Sequence, residues 1–292
     1  MKIIFQRSCN LIFLGLTVLL FSHQLHAQQN KSSWKAGVDK VEITPEGSIW
    51  MGGYAARKKP SDGVRHSVWA KALAIEDSNG KLAVIVTTDL LAFRKFLSDN
   101  IRDQLKKKYG LSRDQIILNS SHTHTGPETD YPRYEFQLSK EEYNKIKQFA
   151  NRVEQEIVEL VGNAIKALEP VTLSSDNGVT RFKVNRRNNK EAQLNAQTEL
   201  KGPNDYAVPV IKVEDQKGNI KAILFGYACH PTVLSDYQLS GDYAGFAQIE
   251  LEKLYPGSTA LFFQGAGADQ NPLPRRSVPL AQQYGKELAA AV

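Results

Sequence analysis

The sequence predicts an α/β protein with a mixed β-sheet core covered by helices. Three observations carry that prediction. Strand-like segments recur along the chain and alternate with stretches of helical period. Lys81–Leu91, "KLAVIVTTDLL", is apolar on both faces, as a strand in the middle of a covered sheet is. A strand, helix, strand succession follows from there to the next apolar run and has the form of a crossover unit.

In chain order, "AGVDKVEI", Ala36–Ile43, alternates apolar and polar residues as a half-buried strand and ends at Thr44-Pro45. "MGGY", Met51–Tyr54, then opens a loop rich in Gly, Pro and Lys that runs to about Val64. Val68–Asp77 and Lys81–Leu91 are two strands joined by Ser78-Asn79-Gly80, a hairpin turn signal. Over Arg94–Tyr109, Phe96, Ile101, Leu105 and Tyr109 fall at helical spacing, and Gly110 closes the helix. "DQIILNSSHTH" is the next strand, and a long helix runs from Ser139 to Leu168, opened by a capping box of Ser139 and Glu142 and ended by Pro170. "TLSSDNG" and the Asn-rich "VNRRNNKEAQLNAQ" are assigned no element. Strands follow at "YAVPVIKVED" and "IKAILFGYACHP", then a helix over Ala244–Tyr255, the strand "TALFFQG", a Gly-rich loop to Pro274 and a terminal helix from Val278.

Residues 1–27 carry Lys2 and Arg7 ahead of an apolar run, Leu11–Phe21, and a small-residue exit at Leu25-His26-Ala27. The run is too short for a bilayer core, so a secretory signal peptide is expected, leaving no membrane span and a secreted or periplasmic protein. Residues 28–292 then form one domain, large enough for a sizeable core. The chain stops at "KELAAAV" in mid-helix and is expected to be a fragment of something longer.

Cys9 falls inside the leader, so Cys229 is alone in the mature chain; an internal disulfide is excluded, and a small core hydrophobe is the expected role. The formal charge is +6, of which Lys2 and Arg7 supply two, and the other basic residues are scattered. Nucleic acid is therefore not an expected partner. The composition does not decide oligomeric state.

Of the six histidines, His23 and His26 lie in the leader, and three of the remaining four, His122, His124 and His230, sit in strand-end motifs. Imidazoles two residues apart on an extended segment point to one side, so "HTH" offers two candidate metal ligands and "CHPT" a third. The alternative is a hydrogen-bonded histidine pair, and no His-Glu-x-x-His signature is present to decide. Asp89, Asp242 and Asp269 are the acids at comparable edges. His66 has no partner legible in sequence and is expected on a surface or loop. "FFQGAGADQNP" lacks the endings of a phosphate loop or a dinucleotide fingerprint, so nucleotide binding is not expected.

"AGVDKVEITPEG", "MGGY", "WAKALAIED", "VTTDL", "SSHTHTGP", "VNRR", "CHPT" and "GDYAGFA" occur in the order in which the neutral/alkaline non-lysosomal ceramidase family carries its motifs. The chain resembles the N-terminal catalytic domain of that family over nearly all of its mature length. The resemblance implies a ceramidase-like zinc hydrolase domain with His122 and His230 as zinc ligands. His124 would contact the reacting carbonyl or water, and Arg186 matches an arginine near the site. The family's Gly-Asp-Val-Ser-Pro segment reads "ADQNP" here, which puts Asp269 on its aspartate and Asn271 on its serine. Two further family ligands, a glutamate and a tyrosine, have no match in this chain; Asp242 or another acid would have to substitute.

The expected function is an exported zinc-dependent hydrolase that cleaves an amide bond in an N-acyl sphingoid, ceramide-like lipid by metal-activated water. The same chemistry suits a zinc-dependent deacylase or esterase acting on acylated carbohydrate. A noncatalytic binding module with a degenerate site is the alternative of a different class.

Overall fold

The structure, a computed structural model, describes residues 34–196 and 199–292. The leader assigned to residues 1–27 lies outside the described residues. Among the described residues no helix is long and apolar enough to cross a membrane.

Eight strands form one mixed sheet. They are β1 (Trp34–Glu42), β3 (Trp69–Glu76), β4 (Leu82–Thr88), β5 (Ile116–Ser120), β6 (Glu169–Val179), β8 (Ala207–Asp215), β9 (Ile220–Tyr227) and β11 (Thr259–Gln264). Short strands β2 (Gly63–Val64), β7 (Lys183–Asn185), β10 (Gln238–Leu239) and β12 (Gln270–Pro272) make two small ribbons, β2 with β10 and β7 with β12. The order in the main sheet is β11-β9-β8-β6-β1-β3-β4-β5. Its outermost pairs, β4 with β5 and β9 with β11, are parallel, and the strands between are antiparallel.

The helices are α1 (Lys95–Tyr109), α2 (Tyr131–Tyr134), α3 (Lys140–Lys166), α4 (Asp242–Leu254) and α5 (Val278–Ala291). Strand alternation decides what they cover. Ala70, Ala72 and Ala74 of β3 join Val84 and Val86 of β4 in a core with α1 and α3, whereas Leu73 and Ile75 turn to the opposite face. On the other side of the sheet, Phe225 and Phe262 pack under α4 and α5, while Leu224 and Leu261 turn inward to meet Leu73. The inward faces meet because the sheet curls: the buried Lys71 ammonium on β3 donates to the Ala260 carbonyl on β11 at 2.7 Å and to Glu252 on α4 at 2.8 Å.

The capping box of Ser139 and Glu142 opens α3 as expected, and Gly110 closes α1 in a left-handed conformation. Within α1 the buried row is Leu97, Ile101 and Leu105, not one led by Phe96, which lies half-buried against Tyr131. Two corrections concern strands. "TLSSDNG" belongs to the eleven-residue β6, whose mostly exposed side chains conceal a backbone paired with β8 and β1. The strand through "HTH" stops at Ser120, and His122 has φ 64°.

Candidate metal centre

The three strand-end histidines converge. His122 and His124 follow β5 and His230 follows β9, and each offers a ring nitrogen such that these atoms lie within 4.8 Å of one another. Ring centroids are 5.1 Å apart for His122 and His124, 5.0 Å for His122 and His230, and 5.8 Å for His124 and His230.

Two of the three are held from behind. His122 Nδ1–H donates to the Leu91 carbonyl at 2.8 Å, and its backbone N–H donates to Leu90 at 3.0 Å. His230 Nδ1–H donates to the Gly267 carbonyl at 2.8 Å and lies 3.2 Å from that of Gln270. A carbonyl only accepts, so Nδ1 carries the proton in both rings and Nε2 keeps the lone pair a metal needs. The carbonyls of Leu90 and Leu91 are themselves fixed through Asp89, buried, whose Oδ2 accepts from Trp69 N–H at 3.0 Å and whose Oδ1 accepts from Gln248 at 3.2 Å. Burial pushes the Asp89 carboxyl up, against the pull of the Lys71 ammonium.

His124 differs. Both of its ring nitrogens are buried without a partner among the described residues, while its backbone N–H donates to the Pro231 carbonyl at 3.2 Å. The ring stands edge-on to Tyr54 at 4.8 Å and lies against Gly53, where a Cβ would come within 2.5 Å of its Cγ. With φ at +97°, Gly53 also needs the left-handed freedom that glycine has. Burial, then the charges of His122 and His230, then Arg57 and Arg186, lower the His124 pKa to about 3. Burial likewise lowers that of His230.

Beneath the loop runs a chain of hydroxyls. Thr123 Oγ1 is 3.0 Å from Thr125 Oγ1, which is 2.8 Å from Ser240 Oγ, and both threonines donate to the Ser240 carbonyl at 3.1 Å. All three residues are buried.

The other sequence candidates surround the centre. Arg186 turns out of β7, with its N–H donating to the Asp269 carbonyl at 2.7 Å and its Nε to Ala268 at 2.9 Å. The Asp269 carboxylate accepts from Asn185 Nδ2 at 3.0 Å. Asn271 is buried on β12 with its Oδ1 unpartnered among the described residues. Asp242 does not join the histidines: Oδ1 accepts from Val233 and Tyr243 N–H at 3.2 and 2.6 Å, and Oδ2 from Leu234 N–H at 2.8 Å. Those bonds tie the loop after His230 to the start of α4. His66 lies in the loop between β2 and β3, as expected, and is half-buried there; its ring packs edge-on to Phe246 at 4.9 Å and its Nδ1 lies 3.1 Å from the Ser67 carbonyl. Cys229 is buried in the core under α4 and α5.

His122 and His230 also line a groove of ≈ 440 Å³, walled by Leu91, Phe93 and Leu118 on one side and Gly265–Ala268 on the other. The carbonyl anchors of Leu91 and Gly267 carry no side-chain signature, so sequence did not reveal them. The double glycine of "MGGY" was the one signal for the contact on His124.

Two imidazoles with fixed tautomers, His122 half-buried and His230 buried, and a third ring with unpartnered nitrogens fit a metal such as zinc. Fold and centre together define an α/β domain that gathers imidazoles where parallel strands end, the usual place for a site in open sheets. The family description "Neutral/alkaline non-lysosomal ceramidase, N-terminal" matches residues 34–268, and the chain belongs to that family. Neutral ceramidase A of Dictyostelium discoideum is 27% identical over 79% of this chain and 33% of its own length. Neutral ceramidase B of the same organism is 26% identical over 86% and 36%. The crystal structure of neutral ceramidase from Pseudomonas aeruginosa has the same fold, with a TM-score of 0.74 at 23% identity over 90% of this chain and 44% of that one. A ceramidase complexed with C2 gives 0.73 at 22% identity. The chain thus spans about a third of the length of these curated relatives.

Proposed function

We propose that the chain acts in an exported, zinc-dependent hydrolase that cleaves the amide bond of an N-acyl compound of the ceramide type. The observation that carries this reading is the pair of back-anchored imidazoles, His122 and His230, with their Nε2 lone pairs free beside a groove. Zinc there would supply a Lewis acid that lowers the pKa of water toward about 7 and polarises a carbonyl.

The chain's own residues divide the remaining work. His122 and His230 hold the ion. His124 lacks the carbonyl anchor that ligating histidines usually have, so its free nitrogens are assigned to water or to the substrate carbonyl. Asp269 holds the Asn185 side chain and takes the Arg186 N–H, which fixes the turn that carries the arginine. The unpartnered Asn271 Oδ1 is a ready acceptor for a substrate N–H or O–H. An amide side chain is a poor nucleophile, so direct attack by water, without an acyl-enzyme, suits this chain.

Elemental mass spectrometry on the purified protein beside His122→Ala, together with an assay for fatty acid released from an N-acyl sphingosine, tests the reading. About one zinc per chain, lost in the variant, with turnover that a chelator stops, is expected. A folded protein that hydrolyses the lipid equally well without zinc would overturn it.

A further inference from the structure

We propose that Gln264 reads a hydroxyl on the amine half of the compound cleaved, close to the scissile bond; this rests on reading the histidine centre as a hydrolytic zinc site. Gln264 is the last residue of β11, which runs parallel to β9, so it stands at the sheet end from which the chain continues to His230. It lines the same groove as His122 and His230. Its backbone cannot withdraw, because Asn119 holds both its N–H and its carbonyl and Tyr227 is its register partner on β9.

The other polar side chains of the groove are engaged. The Asn119 amide is used at both ends by the Gln264 backbone, and the Ser120 hydroxyl donates to the Leu91 carbonyl at 3.4 Å. His122 and His230 each donate from Nδ1 to a carbonyl and keep Nε2 for the ion. Gln264 is the exception. Its Nε2 donates to the Gly265 carbonyl at 3.2 Å. A carbonyl only accepts, so the nitrogen must face it and Oε1 is the free end. That oxygen is shielded from solvent and has no hydrogen-bond partner among the described residues. A shielded acceptor without a donor is destabilising, and a site that supplies such an acceptor rejects analogues that lack the matching donor. The terminal torsion of a glutamine is broad, so a small rotation turns Oε1 toward a donor in the groove.

No aspartate, glutamate, lysine or arginine lines the groove, so its ligand is read by shape and by neutral hydrogen bonds. The wall of Leu91, Phe93 and Leu118 is apolar and suits a hydrocarbon chain, while Gln264 asks for a donor near the histidines. A plain fatty acyl chain has no donor to give. An amine that carries a hydroxyl a carbon or two from its nitrogen and continues as an alkyl chain satisfies both walls, so the groove is assigned to the amine half of an N-acyl amino alcohol.

Calorimetric titration of the zinc-loaded protein tests this without relying on turnover. The probes are N-octyl-N-hydroxyformamide, whose head chelates zinc and whose alkyl chain leaves from nitrogen, and its two analogues with a hydroxyl on the second or third carbon from nitrogen. The better hydroxylated probe should bind about tenfold tighter than the plain one. Gln264→Met, of similar length and unbranched, should bring the two to parity while zinc content and circular dichroism stay as in the parent. Equal binding of all three probes by the zinc-loaded parent, or binding of none, would overturn the hydroxyl and leave the zinc reading standing. A preference that survives Gln264→Met would overturn the assignment to this residue. Absence of binding in a folded protein that takes up no zinc would remove the zinc reading and this proposal with it.

Discussion

The Asn119 side chain does for Gln264 what a ninth strand would do. Its Nδ2 donates to the Gln264 carbonyl at 3.1 Å and its Oδ1 accepts from the Gln264 N–H at 2.8 Å. These residues lie near the ends of β5 and β11, the two outermost strands, so one amide joins the edges of the curled sheet next to the histidines. Asn119→Ala would leave both backbone groups of Gln264 without these partners and should cost about 1–3 kcal/mol. Thermal unfolding should report it as a drop of roughly 2–4 °C in Tm per kcal/mol. An unchanged Tm would mean that water replaces the amide at no cost.

Zinc occupancy should separate the three histidines. His122→Ala and His230→Ala each remove a carbonyl-anchored imidazole proposed to hold zinc and should weaken zinc by roughly tenfold or more, whereas His124→Ala should keep most of it. Titration against a fluorescent chelator measures all three. Equal losses would make His124 a third ligand.

Gly53→Ala should mimic His124→Ala. A Cβ at this position meets the His124 ring at 2.5 Å, and the backbone conformation penalises any side chain. A displacement of that ring should lower kcat by about a hundredfold while zinc and circular dichroism stay as in the parent. Loss of zinc in this variant would again move His124 into the ligand set.

Asp242 should leave a pH signature on stability. Burial raises its folded-state pKa to about 6, above the ordinary 3.8, although three backbone N–H groups pull the other way. The folded state therefore holds the proton more tightly. Its contribution is full below the ordinary value, declines as pH rises toward 6, and is lost above that, by about 3 kcal/mol in all. Asn tolerates the left-handed backbone found here, φ 55°, so Asp242→Asn is a suitable reference. Denaturant unfolding between pH 4 and pH 7 should show the parent losing stability relative to the variant. Parallel curves would mean that the N–H groups keep the carboxylate ionised throughout.

Local signals in the sequence were sufficient where local physics decides. Ser139 and Glu142 mark the start of α3 because their bonds span three residues, and Gly110 marks an end because its backbone conformation is a property of glycine. The pairing of β6 was hidden, because its polar "SSDNG" is ordered by strands distant in the chain. At the centre, residue types were legible and geometry was not. His122 and His124 come together through a left-handed turn at His122 rather than by the alternation of an extended strand. Their company with His230 depends on backbone carbonyls that any residue type would supply. The loop position of His66 was legible, but its packing was not, since Phe246 and Gly245, which lie against it, belong to α4.

The hydroxyl chain of Thr123, Thr125 and Ser240 makes the floor under the histidines electrically neutral. Ionic screening weakens attractions between charges and leaves such a floor untouched. Added salt therefore acts on the arginines at the rim and not on the bedding of the loop.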